Sequence, residues 1–263
     1  MATRTMGDWQ TSICQVINEK GNDQIIVRGH DLNELIDDLS FAGMMFLMLK
    51  GELPTKNQTR VLDALLVASV EHGIAPPSMV ARCFASYGTT IQQAVGSGIM
   101  AFGDRMGGLG EQMARMMTEA LADQPRDRQV EDIVLRDKAA AIVATCRNAG
   151  ERVPGYGIPL HGEDPRAPKV LGIAREYGVY GVYCRFAEII GEELAKSRGS
   201  RPIPMNLDGV GACVVLDLGF SWQATRLFLL TPRSVSMGAH YLEEKAQDST
   251  WRHIPADQIE YVE

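Results

Sequence analysis

The sequence predicts an all-α protein that carries one small β-hairpin near its start. From Asp31 onward the apolar residues recur mainly every three or four positions, which is the period of one face of a helix. Residues 11–28 depart from this period, because the stretches Cys-Gln-Val-Ile and Gln-Ile-Ile-Val flank the turn-forming Glu-Lys-Gly-Asn-Asp. Two apolar stretches around such a turn are typical of a β-hairpin.

Proline, glycine and polar residues divide the helical pattern into segments. A first helix is expected from Asp31, and Met44 to Leu49 is apolar all round, which favours a helix buried in a core. Asn57 is the predicted N-cap of the next helix, and Pro76 begins the one after it. Further helices are predicted at about 89–102, 131–149, 167–178, 179–198, 208–219 and 222–230, and a last one from Pro232, since proline suits a first turn.

Composition and charge limit the classes of function. The 263 residues include 26 Lys and Arg against 33 Asp and Glu, so no net positive field attracts nucleic acid or an anionic membrane. No apolar signal-peptide core occurs at the start, and Phe41 to Leu49 is far shorter than the ~20 residues of a membrane span. The five cysteines are dispersed, and no Cys/His cluster has zinc spacing. We therefore expect a cytoplasmic protein without a metal, a nucleic-acid partner or a membrane partner.

Three junctions rich in glycine or proline interrupt the helices, at residues 103–111, 153–166 and 205–211. Loops held by rigid helices often carry functional groups. The junctions supply carboxylates for proton transfer and arginines suited to carboxylate binding; these residues and one histidine are Asp104, Arg105, His161, Asp164, Arg166 and Asp208. From spacing alone each has a structural alternative, since Asp104 could cap a helix and Asp164 or Asp208 could set a turn.

Six motifs occur in the order seen in the citrate synthase superfamily, and the chain resembles that family over nearly its whole length. The motifs are Leu-Lys-Gly-Glu-Leu-Pro (49–54), Glu-His-Gly (71–73), Gly-Asp-Arg-Met-Gly-Gly (103–108), Pro-Gly-Tyr-Gly to Asp-Pro-Arg (154–166), Asn-Leu-Asp-Gly (206–209) and Pro-Arg-Ser to Gly-Ala-His-Tyr-Leu-Glu (232–243). Within this superfamily the sequence resembles citryl-CoA lyases, including the C-terminal module of ATP citrate lyase, more closely than it resembles citrate synthases. That module shares the 103–108 junction, the His-Tyr-Leu near the end and the closing Arg-His to Tyr-Val (252–262).

This resemblance implies an all-α fold with a large domain, residues 1–110 and 213–263, and a small domain, residues 111–212. It also implies a homodimer or a higher even oligomer with the active site in the cleft between the domains. The implied reaction makes or breaks a carbon–carbon bond between a CoA-thioester enolate and a 2-oxo acid such as oxaloacetate. Coenzyme A or its acyl thioester is then a substrate, and no metal is required.

The resemblance also assigns roles to individual residues. Asp208 matches the aspartate that moves the proton on the α-carbon of the thioester, and His72 matches a histidine that contacts the oxo acid. Arg166 and Arg233 match arginines that bind its carboxylates, and two guanidinium groups fit two carboxylates. The expected contacts of CoA are the loop residues Gly155, Tyr156, Gly157 and Leu160 together with the basic residues Arg105, Lys169, Arg252 and His253. By contrast, His240 is expected to be a packed structural histidine.

Two positions depart from the family pattern. Met106 stands where citrate synthases place the histidine that hydrogen-bonds the enolate oxygen, and the lyases lack histidine there too. Ile158 stands where both groups keep a proton-transferring histidine. His161 follows in the same loop and could replace it, could contact CoA or substrate, or could be a loop residue bonded to backbone. Two alternatives therefore accompany a lyase: a CoA-binding homologue without catalysis, and an enzyme for a different acyl-CoA or oxo acid.

Overall fold

The computed structural model describes Gly7 and residues 9–124, 130–157, 164–199, 202–248 and 250–262. The chain divides into two compact units, Met1–Asp63 and Ala64–Glu263. Within the described residues the structure is helical apart from one small sheet, which confirms the predicted fold class. No helix in these ranges is both long and apolar enough to cross a membrane.

The first unit contains the sheet and two helices. Strands β1 (Cys14–Glu19), β2 (Asn22–Val27) and β3 (His30–Asp31) pair antiparallel in that order, and Cys14 faces Val27 in the register. Helices α1 (Leu32–Asp38) and α2 (Phe41–Lys50) follow. Asp31 and Ser40 cap them by accepting from the backbone N–H of Asn33 and Gly43. The core of this unit is apolar and consists of Val27, Leu35 and Leu47, surrounded by Leu32, Leu39, Met44 and Met48.

Helix α3 (Lys56–Ser69) runs across the boundary between the units, and the rest of the second unit is helical. Its helices are α4 (Pro76–Ser86), α5 (Ile91–Met100), α6 (Leu109–Ala120), α7 (Asp132–Asn148), α8 (Arg166–Glu176), α9 (Val182–Ser197), α10 (Leu207–Asp217) and α11 (Leu227–Ala246). Helix α10 is buried along almost its whole length and packs against α6, α8 and α9. Helix α11 packs against α4 and α5. The division into a large and a small domain at residues 111–212 stays a prediction.

Three details of the predicted elements were wrong. Asn57 does not cap α3; Thr55 does, because its Oγ1 accepts from the backbone N–H of Gln58 while Gln58 Oε1 accepts from that of Thr55. Pro232 does not begin a helix, since α11 already starts at Leu227 and includes it. Proline has no backbone N–H and so cannot donate the helical hydrogen bond to the carbonyl of Phe228. That carbonyl lies in the first turn of α11, where the missing bond interrupts little of the helical hydrogen-bond pattern. Of the predicted helix at 222–230, only a short 3₁₀ turn, Trp222–Ala224, precedes α11.

Candidate active site

The N-terminus of α10 presents Asp208 and is fixed by the loop at residues 153–157. Asn206 caps the helix, since its Oδ1 accepts from the backbone N–H of Gly209 at 3.1 Å. The same side chain donates to the carbonyl of Gly157 at 2.7 Å, and its backbone N–H donates to the carbonyl of Gly155 at 3.0 Å. One asparagine therefore binds the loop to the start of the helix, next to Asp208.

Gly209 and Gly155 make this close approach possible. A Cβ atom on Gly209 would lie 2.3 Å from the carbonyl oxygen of Gly155 and 2.6 Å from Met205 Cγ. Gly155 itself has φ of +86°, and a Cβ there would lie 2.8 Å from the Cα of Gly209. Both positions therefore require glycine, for contact and, at Gly155, also for backbone conformation.

Gly209→Ala is expected to lower the free energy of unfolding by about 1–3 kcal/mol, because overpacking of a fixed contact has that cost. Gly211→Ala in the same helix is the matched control. A Cβ on Gly211 meets only Leu65 Cδ1, at an ordinary 3.7 Å, so this change should be neutral or stabilising, since alanine favours a helix. Urea denaturation of both variants measures the difference. Equal stabilities would show that the loop does not press on α10.

Asp164 is almost fully buried and holds Arg166 in a forked contact. The Nε and Nη2 atoms of Arg166 donate to the two oxygens of Asp164, at 2.9 and 2.8 Å. The same carboxylate accepts from the backbone N–H groups of Arg166 and Leu207, both at 3.1 Å. Burial raises the pKa of Asp164, but the bonds from Arg166 outweigh it and hold this pKa below its usual range. Asp164 thus joins the starts of α8 and α10 and orients the guanidinium.

Asp208 is half-buried beside two arginines and one carboxylate. Desolvation raises the pKa of Asp208, while the charges of Arg166 and Arg233 act in the opposite direction and Asp164 adds to the rise. The net result is a pKa above the ordinary aspartate value. A carboxyl group in such surroundings is suited to take and return a proton, since its acid and base forms lie closer in free energy at neutral pH.

Arg233 on α11 is buried, and its Nε has no hydrogen-bond partner among the described residues. Desolvation lowers the pKa of Arg233 below its usual range. The carboxylate of Glu71 is near it, with Oε1 3.9 Å from Nη1. A buried guanidinium with an unpaired donor can gain a partner when an anion binds, because burial leaves its charge without solvation.

His72 directly follows Glu71 and donates its backbone N–H to Glu71 Oε1 at 2.8 Å. Partial burial raises the pKa of Glu71, but hydrogen bonds from Ser236 and from the backbone of His72 outweigh it, so this pKa lies below its usual range. Glu71 is therefore a carboxylate at neutral pH. It connects the segment that carries His72 with the helix that carries Arg233.

A small crevice of about 30 Å³ lies beside Asp208. Gly107 and Arg226 border it, and so does Thr225, whose buried hydroxyl has no hydrogen-bond partner in the described part of the chain. Most of the remaining wall is apolar and comes from Leu65, Leu207, Ala212, Val215, Phe228 and Leu229. The crevice thus gives Asp208 a mainly apolar neighbourhood, which agrees with its raised pKa.

The structure brings together only part of the sequence-predicted site. Asp208 is grouped with Arg166 and Arg233, through whose charges its pKa is affected. Arg105 and Lys169 are exposed, and Arg252 donates to the buried carboxylate of Glu244 from Nε and Nη2, at 2.6 and 2.8 Å. The assignment of Arg105, Lys169 and Arg252 to CoA stays a prediction.

Other predicted residues lie in the core or outside the described ranges. Tyr156 is buried and its hydroxyl donates to the carbonyl of Ala187 at 2.5 Å, so a CoA contact there depends on its backbone. Met106 is half-buried in a tight turn, bonded through its backbone to Gly103. Ile158, Leu160 and His161 fall outside the described residues.

Sequence reasoning missed three contributions. Asp164 had appeared as a candidate but not as the residue that orients Arg166; the signal was its position two residues before that arginine. Glu71 and Ser236 were not considered as site residues, although Glu71 directly precedes His72. Ser236 carried no signal in sequence, because it is joined to Glu71 by a hydrogen bond across 165 positions. Among the described residues no group of three or more His, Cys, Asp or Glu could hold a metal ion.

Comparisons with known proteins identify the family of this chain. The family model described as "Citrate synthase, C-terminal domain" matches residues 56–254. The structure of a citryl-CoA lyase from Hydrogenobacter thermophilus superimposes with a TM-score of 0.83 and 32% sequence identity, covering 97% of this chain and 94% of that one. An ATP citrate lyase from Methanothrix soehngenii, in complex with citrate and coenzyme A, has a TM-score of 0.79 at 18% identity, over 100% of this chain and 42% of that one. At that identity the likeness concerns the fold alone.

Similarity also extends to citrate synthases. The citrate synthase of Haloferax volcanii is 27% identical over 228 residues, which are 82% of this chain and 55% of that protein. The citrate synthase of Deinococcus radiodurans is 26% identical over 227 residues, 83% of this chain and 54% of that protein. The chain thus spans about half the length of the curated relatives it matches.

Proposed function

Because the chain belongs to the citrate synthase family, we propose that it is a CoA-thioester carbon–carbon lyase of the citryl-CoA lyase type. The reaction cleaves a carboxylated 3-hydroxyacyl-CoA into acetyl-CoA and a 2-oxo acid such as oxaloacetate, or runs in the reverse direction. The observation that carries this proposal is the match to a citryl-CoA lyase over 97% of the chain at 32% identity. Coenzyme A is then part of the substrate, and the protein is a homodimer or a higher even oligomer.

In this proposal Asp208 moves the proton on the α-carbon of the thioester. Cleavage removes the proton of the substrate hydroxyl, and the electrons of the broken carbon–carbon bond pass to the thioester as an enolate. The hydroxyl carbon becomes the carbonyl of the oxo acid. Asp208, protonated, then donates to the α-carbon and releases acetyl-CoA. The raised pKa of Asp208 supports this role, since a substantial acid form is needed for that step.

Arg166, Arg233 and His72 hold the oxo-acid portion in the same proposal. Arg233 is a buried cation with a free Nε, and Arg166 is oriented by Asp164, so both guanidinium groups are placed before substrate binds. Such preorganisation lowers the cost of ordering the site on binding. His161 is the proposed acceptor of the hydroxyl proton, because Ile158 cannot titrate.

The direct test is incubation with (3S)-citryl-CoA while acetyl-CoA and oxaloacetate are measured. We expect both products in equal amounts, at a rate proportional to protein concentration. Isothermal calorimetry with CoA and with citryl-CoA should run in parallel. Binding without turnover of this or related 3-hydroxyacyl-CoAs would contradict the lyase and favour a CoA-binding homologue without catalysis. Turnover of only a related thioester would favour a different acyl-CoA or oxo acid.

A further inference from the structure

Glu71 faces Arg233 without binding it closely. The distance of 3.9 Å between Oε1 of Glu71 and Nη1 of Arg233 exceeds the hydrogen-bond range. A free carboxylate this near an incompletely paired guanidinium would ordinarily close the gap and form a direct salt bridge. Something must therefore restrain the Glu71 carboxylate.

Both oxygens of Glu71 are restrained, and Oε1 accepts from the backbone N–H of His72 at 2.8 Å. Oε2 accepts a hydrogen bond from the hydroxyl of Ser236 and lies 3.4 Å from Nε2 of His240. Both residues are on α11, one and two turns after Arg233. Ser236 is almost fully buried. His240 Nε2 is a buried atom that makes no hydrogen bond within the described part of the chain, so its 3.4 Å approach to Oε2 of Glu71 is a close polar contact. Ser236 and His240 of one helix thus contact Oε2, while the backbone of His72 holds Oε1.

Arg82 determines which nitrogen of His240 carries the proton. Its Nη1 lies 3.3 Å from His240 Nδ1, and a guanidinium can only donate, so Nδ1 is the acceptor and Nε2 bears the hydrogen. Arg82 is itself fixed, because its Nε donates to the buried Glu244 at 2.7 Å and its Nη2 to Gln247 at 2.8 Å. Arg82 also forms an ion pair with Glu243. The contacts of Arg82 therefore fix the His240 ring with its Nε2 side 3.4 Å from Glu71 Oε2.

We propose that Ser236 and His240 are positioning residues that hold Glu71 away from Arg233 and so keep the Arg233 guanidinium free for a carboxylate of the substrate. This inference rests on the proposed function in one respect, the role of Arg233 as a carboxylate ligand. Without these two contacts to Oε2, Glu71 turns to Arg233 and competes with substrate. A competitor on the same chain acts at a high effective concentration, so the loss of one donor weakens substrate binding measurably.

The kinetic test is a double-mutant cycle of Ser236→Ala and Glu71→Gln. Ser236→Ala should raise KM for citryl-CoA about tenfold, the effect of one charge-assisted hydrogen bond, with kcat little changed. In the Glu71→Gln background the same change should leave KM unaltered, because a neutral amide is a weak competitor for Arg233. An equal rise of KM in both backgrounds would mean that Ser236 acts only through general packing, and the proposal would be wrong.

His240 provides a second, independent test. His240→Phe removes the donor at similar shape and should raise KM as Ser236→Ala does, whereas His240→Gln restores an N–H near the position of Nε2 and should return KM towards the wild-type value. If His240→Gln and His240→Phe have the same KM, the N–H at this position has no effect on substrate binding and the inference fails.

A crystal structure of Ser236→Ala tests the inference without any turnover. We expect Glu71 to move until one oxygen lies within about 3.2 Å of the Arg233 guanidinium. A carboxylate that remains 3.9 Å away, as in the wild type, would overturn the proposal. If the wild type cleaves no thioester, only the proposed function fails, and this structure still decides whether Ser236 restrains Glu71.

Discussion

Asp208→Asn is expected to lower kcat for thioester cleavage by about 10²–10⁴-fold, the usual contribution of a positioned acid or base. The amide keeps the size of the side chain but can neither donate a proton to the enolate nor remove one from acetyl-CoA. Substrate binding should change little, since Arg166 and Arg233 are intact. The measurement is steady-state cleavage of citryl-CoA together with calorimetric binding of citrate. Asp123→Asn, an exposed aspartate paired with Lys138, is the matched control and should retain full activity.

The pH dependence of Asp208 gives a second measurement of the same prediction. Exchange of the α-protons of acetyl-CoA into deuterated water requires the carboxylate form, so its rate should rise as the pH increases through the pKa of Asp208. Because desolvation raises this pKa, the midpoint should lie above the ordinary aspartate value of 3.8. The rise should be absent in Asp208→Asn. Undiminished exchange in that variant would remove Asp208 from the mechanism.

Arg233→Leu is expected to raise KM for the carboxylated substrate by at least about thirtyfold, since losing one partner of a buried charge pair costs about 2–5 kcal/mol. The same change weakens substrate binding but should not destabilise the fold. Arg233 is buried, its Nε is unpaired among the described residues and desolvation lowers its pKa, so the folded protein bears a cost for this charge. Replacing it with leucine should leave the thermal midpoint unchanged or raise it.

Thermal unfolding and steady-state kinetics of the same preparation measure both effects. Arg136→Gln is the control, because Arg136 is a partly exposed arginine paired with Glu192, and its loss should alter neither KM nor stability by much. If Arg233→Leu unfolds at a lower temperature and keeps its KM, Arg233 is a structural residue and the oxo acid is held elsewhere.

Most of the helices could be predicted from sequence because their period is local, although α6 (Leu109–Ala120) was not among those predicted. The buried face of α10 follows from the apolar run after Asp208, and the hairpin follows from a turn between two short apolar stretches. Where the prediction was wrong, the competing signals were also local. Asn57 and Thr55 are both good caps, and only the hydrogen bonds to Gln58 distinguish them. Pro232 suits a first turn, yet the chain was already helical one turn earlier.

The sequence by itself determined the fold class and the family, and it identified Asp208, Arg166 and Arg233 as candidates, because the order and spacing of motifs are properties of the chain. Only the tertiary structure decided the pKa values and the contacts of these groups. The raised pKa of Asp208 depends on burial, and the restraint on Glu71 depends on Ser236 and His240, more than 160 positions away. Burial and charge act through space, so residues distant in sequence set the environment of each group, and no periodicity or motif records that proximity.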